Sequence, residues 1–385
     1  TDAAPLRRTY TMNRLALIAA AIFAGLANPA LARPLTDCPL RDAPLSMDSP
    51  LIDVLLSPAG KAAIESAAPG ALKRFPPRFS GTTAPSFASI LSVKLAIGML
   101  GVKPEQTAKM AAALAKVPVT RADKVARCVR YDVVPPNLVI PARHPRILLF
   151  EKINGFRDGP SVDAAHAAFV SMAARNGWSI ITTDKAAAFT PAILRQFDAV
   201  IWNNISGDVL TLTQRRAFRG YMEHRGGFVG VHGTAGDPAY FWDWYVDDLL
   251  GARFAGHPMA PQFQTATVRL DDATHPAVKG LPATWEMNDE WYSFSTNPRK
   301  TGSRVIATLD ETTYVQKGMA GQELHMGDHP IAWSRCIGRG STAGRMFYSA
   351  IGHRPERYSD AIYVQMLEQA VGWAADKNVA CQPVK

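Results

Sequence analysis

Short apolar runs that alternate with helical segments dominate the chain from Arg146 onward. The runs ILLFE, WSIITT, DAVIWNN and GGFVGVH each have the length of a buried strand. Residues 162–175 and 212–225 carry apolar side chains at helical spacing, and Thr190-Pro191 begins a shorter helix. Strands and helices that alternate in this way form a parallel sheet covered on both faces. The sequence therefore predicts an α/β fold built on a doubly wound parallel sheet.

Four later strands and a final helix complete this α/β domain, which we place at 146–385. The strands are expected at 262–270, 304–309, 330–334 and 345–351, and the helix at 357–375. Residues 33–134 differ, because they form short helical stretches broken by proline and glycine. Several of these begin at a proline, whose missing N–H has no partner in a first helical turn. The sequence predicts a small helical accessory segment, followed by a proline-rich linker at 135–145.

Residues 12–32 have the pattern of a secretory signal peptide. One basic residue, Arg14, precedes an apolar run, and the small-residue site Ala30-Leu31-Ala32 follows it. The run is shorter than the about 20 apolar residues that a permanent membrane span needs. We therefore predict cleavage after Ala32, a periplasmic or secreted location, and no membrane segment after cleavage. Residues 1–11 lie upstream of this signal.

Four cysteines bear on the same question, because exported proteins fold in an oxidising compartment. Cys38 and Cys128 lie in the helical segment, whereas Cys336 and Cys381 lie in the α/β domain. Pairing within each region gives Cys38–Cys128 and Cys336–Cys381, but four cysteines allow three connectivities. No CxxC spacing marks a zinc knuckle.

Composition and missing motifs exclude some classes of function. The chain is 47% hydrophobic and 19% charged, which is typical of a folded protein. Its 42 basic and 33 acidic residues give a net charge of +9 without a dense basic block, so nucleic acid is not an expected partner. No glycine-rich phosphate loop follows the first strand, which excludes nucleotide binding by that route. A homo-oligomer is left open.

Polar side chains follow several of the predicted strands. In an open parallel sheet, ligands bind at the carboxyl ends of the strands. Residues 154–158, which include Arg157 and Asp158, follow the first strand. The candidates after the later strands are Asn203, Asn204 and Ser206 after the third, His232 after the fourth, and Gly352-His353 after the last. We expect these side chains to meet at one edge of the sheet.

His232 stands in the glycine-rich turn GGFVGVHGTAGD. Such a turn can present a side chain at the edge of the sheet and direct backbone N–H groups toward an anion. The alternative is a histidine that only caps the turn through a hydrogen bond. The turn has no cysteine or serine, so the usual acyl-transfer nucleophile is missing.

Asp289 and Glu290 lie between aromatic residues in WEMNDEWYSF. Adjacent carboxylates in such a setting can have a raised pKa or bind a hard metal ion. The neighbouring Trp291 and Tyr292 can stack on a sugar ring. The alternative is a solvated acidic turn.

Two further histidines, His257 and His329, are candidates for substrate binding. Each precedes a proline, and residues before proline are extended, so each could instead anchor a loop. His329 also follows Asp328, and a neighbouring carboxylate can orient an imidazole when the fold brings the two together.

Seven short motifs occur in an order that resembles the trehalose-utilisation (ThuA-like) family. The resemblance covers residues 146–376 and rests on GGFVGVH, Phe254–His257, HPAVKGLP, NDEWY, DETTY, DHPIAW and GRMFYSAIGH. It implies a flavodoxin-like, doubly wound sheet similar to that of the class I glutamine amidotransferases. Those enzymes have a cysteine at the turn where this chain has His232, which argues against glutaminase chemistry. The family often has Arg-His after the first strand, where this chain has Arg157-Asp158.

The resemblance also implies a carbohydrate substrate, such as a glycoside or a keto-disaccharide. In the first hypothesis the protein is a hydrolase or lyase. His232 and His353 then perform acid–base work or bind a divalent metal, zinc or iron, and Glu290 is a base or a metal ligand. In the second hypothesis the same edge binds carbohydrate without turnover. In the third, a vestigial amidotransferase fold serves protein contacts.

Overall fold

A nine-stranded sheet organises the computed structural model, which describes residues 1, 34–378, 380 and 381. The strand order is β2-β1-β3-β4-β11-β10-β9-β6-β7, and β5 pairs with β8 in a separate two-stranded sheet. The strands are β1 (Arg146–Phe150), β2 (Ser179–Thr183), β3 (Ala199–Asn203), β4 (Gly227–Val231), β5 (Phe254–Gly256), β6 (Phe263–Leu270), β7 (Thr284–Glu290), β8 (Ser293–Phe294), β9 (Arg304–Leu309), β10 (Pro330–Ile337) and β11 (Gly344–Ser349).

The first half of the sheet has the flavodoxin-like order. Strands β2, β1, β3, β4 and β11 are parallel neighbours, which is the 2-1-3-4-5 arrangement of doubly wound folds. All residues of β3, β4 and β11 are buried, as expected of strands covered on both faces. The predicted doubly wound α/β sheet is confirmed.

The second half of the sheet is antiparallel, a direction that the sequence analysis did not assign to the later strands. Strand β10 pairs antiparallel with β11, and β9, β6 and β7 continue the antiparallel half. The connections between these strands lack the long crossover helices that parallel neighbours require. Strand β7 was not predicted; its alternation stops after Asn288, because the buried positions at its carboxyl end hold the acidic residues Asp289 and Glu290 rather than apolar ones.

Helices cover the sheet and build the N-terminal segment. Helices α2, α4, α6 and α7 have a proline in their first turn, and Thr211 caps α8 together with Gln214. The helices are α1 (Leu51–Leu55), α2 (Pro58–Ala67), α3 (Val93–Met99), α4 (Pro104–Leu114), α5 (Arg121–Cys128), α6 (Gly159–Asn176), α7 (Pro191–Leu194), α8 (Leu212–Glu223) and α9 (Ala361–Ala375), with a π-helix at Trp244–Leu250.

The N-terminal helices bury a cluster of their own and also contact the α/β domain. Leu51, Ile64 and Ile97 belong to this cluster, which is separate from the larger core around the sheet. The Ser86 N–H and the Ser89 hydroxyl both donate to the carbonyl oxygen of Asn154, at 3.0 and 2.6 Å. The helical segment therefore braces the loop that follows β1.

Both predicted disulfides are confirmed. Cys38 is bonded to Cys128 and Cys336 to Cys381, with Cα–Cα distances of 5.4 and 5.6 Å. The predicted signal peptide lies outside the described residues. Among the helices that are described, none is both long and apolar enough to cross a bilayer.

Candidate functional site

His232 occupies the turn that follows β4, with a backbone φ of +37° that non-glycine residues rarely adopt. The Tyr292 hydroxyl packs directly against Gly236 in this turn. A larger residue would not fit there, because a Cβ at position 236 would lie only 2.6 Å from the hydroxyl oxygen. His232 Nδ1 lies 2.8 Å from the carbonyl oxygen of Ala350. A carbonyl oxygen only accepts hydrogen bonds, so Nδ1 carries a proton and Nε2 faces the site.

Glu290 ends β7 at the same edge of the sheet. Its Oε2 lies 2.9 Å from His353 Nδ1 and 3.4 Å from His232 Nε2. Its Oε1 lies 3.1 Å from His257 Nδ1 and also accepts a hydrogen bond from the Gln262 amide. Burial alone would raise the pKa of this carboxyl, but the hydrogen bonds from His232 and His353 hold it well below its usual range.

His353 follows β11 and reaches the cluster from a third element. Its Nδ1 lies 3.2 Å from His232 Nε2, and its Nε2 lies 3.4 Å from an oxygen of Asp158. Burial lowers the pKa of His353, but the hydrogen bond to Glu290 and the negative charges of Glu290, Asp158 and Asp289 together more than offset it, so the net shift is upward.

Asp289 fixes the turn that presents His353. The two oxygens of its fully buried carboxylate accept from the backbone N–H groups of Gly352 and Arg354, at 2.6 and 3.0 Å. These N–H groups flank His353 on both sides, so Asp289 holds the imidazole against Glu290. Burial raises the pKa of Asp289.

The three side chains form a compact cluster. One potential ligand atom from each of His232, Glu290 and His353 lies within 4.8 Å of the other two. The side chains of His232 and Glu290 are 5% and 2% exposed, whereas that of His353 is 14% exposed. His353 is therefore the most accessible member of the cluster.

Four other predicted residues surround or support this cluster. The ring of Tyr292 packs 4.2 Å from that of His232, and His257 lies beside Glu290. The Oδ1 of Asn204 accepts from the Gly233 N–H, which stabilises the turn after His232. Asn203 is fully buried and donates to Glu151 and to the carbonyl oxygen of Val162.

Three predicted residues lie away from the cluster. Arg157 is partly exposed and pairs with Asp163 at 3.2 Å. Trp291 is buried, and its indole N–H donates to the Gln264 carbonyl oxygen. His329 is buried between Glu311, Tyr314 and the carbonyl oxygen of Tyr292.

Asp158, which the strand-end rule includes among residues 154–158, contacts the cluster through His353 Nε2. Gln262 and Phe263 also contact the cluster but were not predicted. Gln262 and Phe263 lie at the amino end of β6, which is antiparallel to β7 and thus meets Glu290 at the same edge. A rule based on parallel strands misses such residues.

Comparisons with known proteins agree with this architecture. A family model described as ThuA, trehalose utilisation, matches residues 146–374. The structure is similar to that of a protein from Bacteroides uniformis described as ThuA-like, with 26% identity and a TM-score of 0.51. That similarity covers 63% of this chain and 95% of the other.

Another protein described as ThuA-like, from Parabacteroides merdae, is 18% identical with a TM-score of 0.46, over 62% of this chain and 93% of the other. No curated protein matches the chain. Because the family model spans more than half of the sequence, the chain belongs to the ThuA family.

Proposed function

We propose that this protein is a carbohydrate-active hydrolase or lyase that uses His232, Glu290 and His353 to cleave a glycoside or a keto-disaccharide. The observation that carries the proposal is the convergence of these three side chains from three separate elements. Buried acid and base groups with shifted pKa values, placed together at the ligand-binding edge of such a sheet, are typical of an active site.

The donor atoms fit a divalent metal, for which we propose zinc or iron. The Glu290 Oε2, His353 Nδ1 and His232 Nε2 atoms are separated by 2.9, 3.2 and 3.4 Å. Two ligand atoms of a tetrahedral ion, each 2.0–2.1 Å from the metal, are about 3.3 Å apart, so the spacing of the three atoms is close to that of a metal site. Both histidines have an outer partner for their second nitrogen, the Ala350 carbonyl oxygen for His232 and Asp158 for His353. Such partners orient metal-binding imidazoles. A bound metal would polarise a substrate oxygen or activate water.

The side chains can also move protons themselves. In a 3-keto sugar, the carbonyl group acidifies the C–H bond on the neighbouring anomeric side. A base that removes this proton starts an elimination in which the glycosidic C–O bond breaks and the leaving oxygen takes up a proton. His353 is suited to the base, because it is the most accessible of the three and Glu290 stabilises its protonated form.

The surroundings of His353 support a sugar as substrate. Phe156 and Phe263 are 41% and 38% exposed, and their ring centroids lie 6.3 and 5.1 Å from that of His353. Exposed aromatic faces beside a polar cluster offer an apolar surface to a sugar ring while leaving the hydroxyl groups free to bond.

Export remains part of the proposal. Two disulfides support it, because such bonds are rare in reducing compartments.

Metal content and turnover test the proposed function together. Protein purified without chelators is expected to hold about one zinc or iron per chain by elemental analysis, and to cleave a 3-keto-disaccharide. His353→Ala should lose both properties. His166→Ala is the matched control, because His166 also pairs with a glutamate, Glu151 at 3.0 Å, outside the cluster.

Three outcomes separate the alternatives. Cleavage without bound metal supports the acid–base form of the proposal. Saturable sugar binding without turnover, weakened by His353→Ala, identifies a binding module instead. Neither binding nor turnover with any keto-disaccharide or glycoside tested, with or without added divalent metals, refutes a carbohydrate function.

A further inference from the structure

A cavity of about 650 Å³ lies at the opposite edge of the sheet from the cluster of His232, Glu290 and His353. Arg345, at the start of β11, lines it, whereas His353 follows the end of that strand. Strand β11 has six residues, about 20 Å at 3.3 Å per residue, and it separates the two places. The volume falls within the range of small-molecule sites, about 300–1,000 Å³.

Strand register brings the polar side chains of this cavity to one face of the sheet. Arg304 on β9 lies opposite Ser334 on β10, and Cys336 on β10 lies opposite Arg345 on β11. Directly opposed residues point to the same face, as do residues two apart. Trp373 of α9 lines the cavity as well.

Arg345 brings a buried and incompletely bonded cation to the cavity. The residue is 6% exposed, and its guanidinium lies 5.7 Å from the ring of Trp373. It donates one hydrogen bond, to the Trp373 carbonyl oxygen, whereas its Nε has no acceptor among the described residues. Burial lowers the pKa of this guanidinium. The negative charge of Asp376 acts in the opposite direction on this pKa, but no carboxylate of the described residues forms an ion pair with Arg345. A buried cation with a donor left unbonded is costly, so this position favours an anion.

His275 supplies a second donor without an acceptor. Its Nδ1 accepts from the Ala277 N–H at 3.1 Å, and burial lowers the pKa of the imidazole to about 4. The ring is therefore neutral at pH 7, with its proton on Nε2. That nitrogen is buried and has no partner within the described part of the chain. The ring lies 4.8 Å from that of Trp373, so both donors flank one indole.

The charges near the cavity leave Arg345 as the cation that a ligand can pair with. Arg304 and Arg345 line the cavity on this face together with one aspartate, Asp376, and Arg304 is already paired with Asp272. Asp376 acts on Arg345 through its charge, but an oxygen of this carboxylate already accepts from the Asn378 N–H at 2.8 Å. Arg335 lies between Ser334 and Cys336 on β10, so its side chain points to the other face, where it donates to the hydroxyls of Thr301 and Ser303.

We propose that this cavity binds a small organic anion. The carboxylate or phosphate oxygens of the ligand accept hydrogen bonds from Arg345 and His275, and its apolar part lies against Trp373. Arginine suits both oxyanions, because its planar fork presents several donors at once. This site does not depend on the function proposed for the opposite edge.

Calorimetric titration and thermal unfolding with defined probes test the proposal. Inorganic phosphate represents the phosphate arm, benzoate the carboxylate arm, and benzyl alcohol is a neutral molecule of similar shape to benzoate. We expect at least one anion to bind saturably with a Kd below about 1 mM and to raise Tm, and benzyl alcohol to bind at least tenfold more weakly than benzoate.

Two conservative variants locate the binding. Arg345→Lys keeps the charge but removes the Nε donor, and His275→Asn keeps an acceptor for the Ala277 N–H but removes the second donor. Each should weaken anion binding about tenfold or more. Arg215→Lys is the control, because Arg215 is also buried, lies 4.9 Å from the Trp242 ring and donates to the Phe241 carbonyl oxygen.

The proposal fails if neither anion binds below about 10 mM, which would leave the two donors to ordered water. Equal binding of benzoate and benzyl alcohol would also overturn it, since the cavity would then select only for shape. Unchanged affinity in both Arg345→Lys and His275→Asn would place the anion elsewhere.

Discussion

The two edges of the central sheet use polar side chains in different ways. At the edge where the parallel strands β4 and β11 end, here called the carboxyl edge, Glu290 contacts His232, His353 and His257, so each charge there has a nearby partner. At the opposite edge, where these parallel strands begin and which is here called the amino edge, Arg345 and His275 each retain a buried donor without an acceptor among the described residues. The first arrangement is typical of groups that exchange protons or hold a metal, and the second of a site completed by its ligand.

This difference implies that the two edges can be disabled separately. The carboxyl edge depends on charge, because removing one member leaves the others unpaired in a buried place. The amino edge depends on donor geometry and on an intact cavity wall.

The largest effect is expected for Glu290→Gln, which keeps the shape of the side chain but removes its charge. Metal binding and turnover should fall by about 1,000-fold or more, since the cluster loses its anionic ligand and the partner of His353. Elemental analysis and single-turnover kinetics measure the two losses. Anion binding at the amino edge should stay within about twofold of wild type.

Glu311→Gln is the matched control for this variant. Glu311 also lies between two histidines, His325 at 2.6 Å and His329 at 2.8 Å, outside the cluster. Its replacement should leave turnover within a few-fold of wild type. Equal losses in both variants would show that any His–Glu–His contact in this fold supports stability rather than catalysis.

Removing the disulfide in the wall of the amino-edge cavity comes next. The double variant Cys336→Ala, Cys381→Ala opens a loop of 45 residues and should lower the free energy of unfolding by about 2–4 kcal/mol. Urea unfolding measures this loss. Anion binding should weaken with it, whereas turnover at the carboxyl edge should persist.

The other disulfide provides the comparison, since Cys38→Ala, Cys128→Ala leaves the cavity wall intact. It should lower stability without weakening anion binding. If both double variants weaken anion binding equally, the wall has no specific role and general destabilisation explains the loss.

Asp289→Asn should have a smaller effect that is confined to the carboxyl edge. Asparagine offers one carbonyl oxygen to the two backbone N–H groups that flank His353, so the imidazole loses its fixed position. We expect metal affinity and kcat to fall about 10–100-fold, and KM to change only a few-fold. An unchanged kcat with a raised KM would instead place Asp289 in substrate binding.

The contrast between the edges also explains what the sequence could predict. His232 and His353 follow buried parallel strands, so the strand-end rule locates both from the sequence alone. Glu290 is identified there only as a candidate, because a buried acidic strand end cannot be told from a solvated turn by sequence and the pairing of β7 with β6 is set by contacts distant in sequence. The mutual distances of the three groups depend on the fold.

The amino-edge cavity could not be predicted at all. Its donors come from the starts of strands and from the turn before Pro276, where no sequence rule places a ligand site. The proline after His275 favours a structural role for this histidine, and its bond to the Ala277 N–H fits that interpretation. The unsatisfied Nε2 on the other side of the ring depends on packing against Trp373 and becomes visible only in three dimensions.

The smallest predicted effect is a pH dependence of stability that originates at His275. Burial, aided by the positive charge of Arg304, lowers the pKa of this imidazole from 6.5 to about 4, while Asp272 acts weakly in the opposite direction. Between these two pH values the unfolded chain binds the proton and the folded protein does not. The free energy of unfolding therefore falls as pH decreases from 6.5 toward 4.

His275→Asn removes this titration, so the stability of wild type relative to the variant should decline by roughly 1–2 kcal/mol from pH 7.5 to pH 5. Urea unfolding of both proteins at the two pH values gives the difference, in which the other titrating groups cancel. A constant difference would mean that His275 takes up its proton in the folded state as easily as in the unfolded chain. The imidazole would then have an acceptor or solvent at Nε2, and the amino edge would resemble the fully paired carboxyl edge.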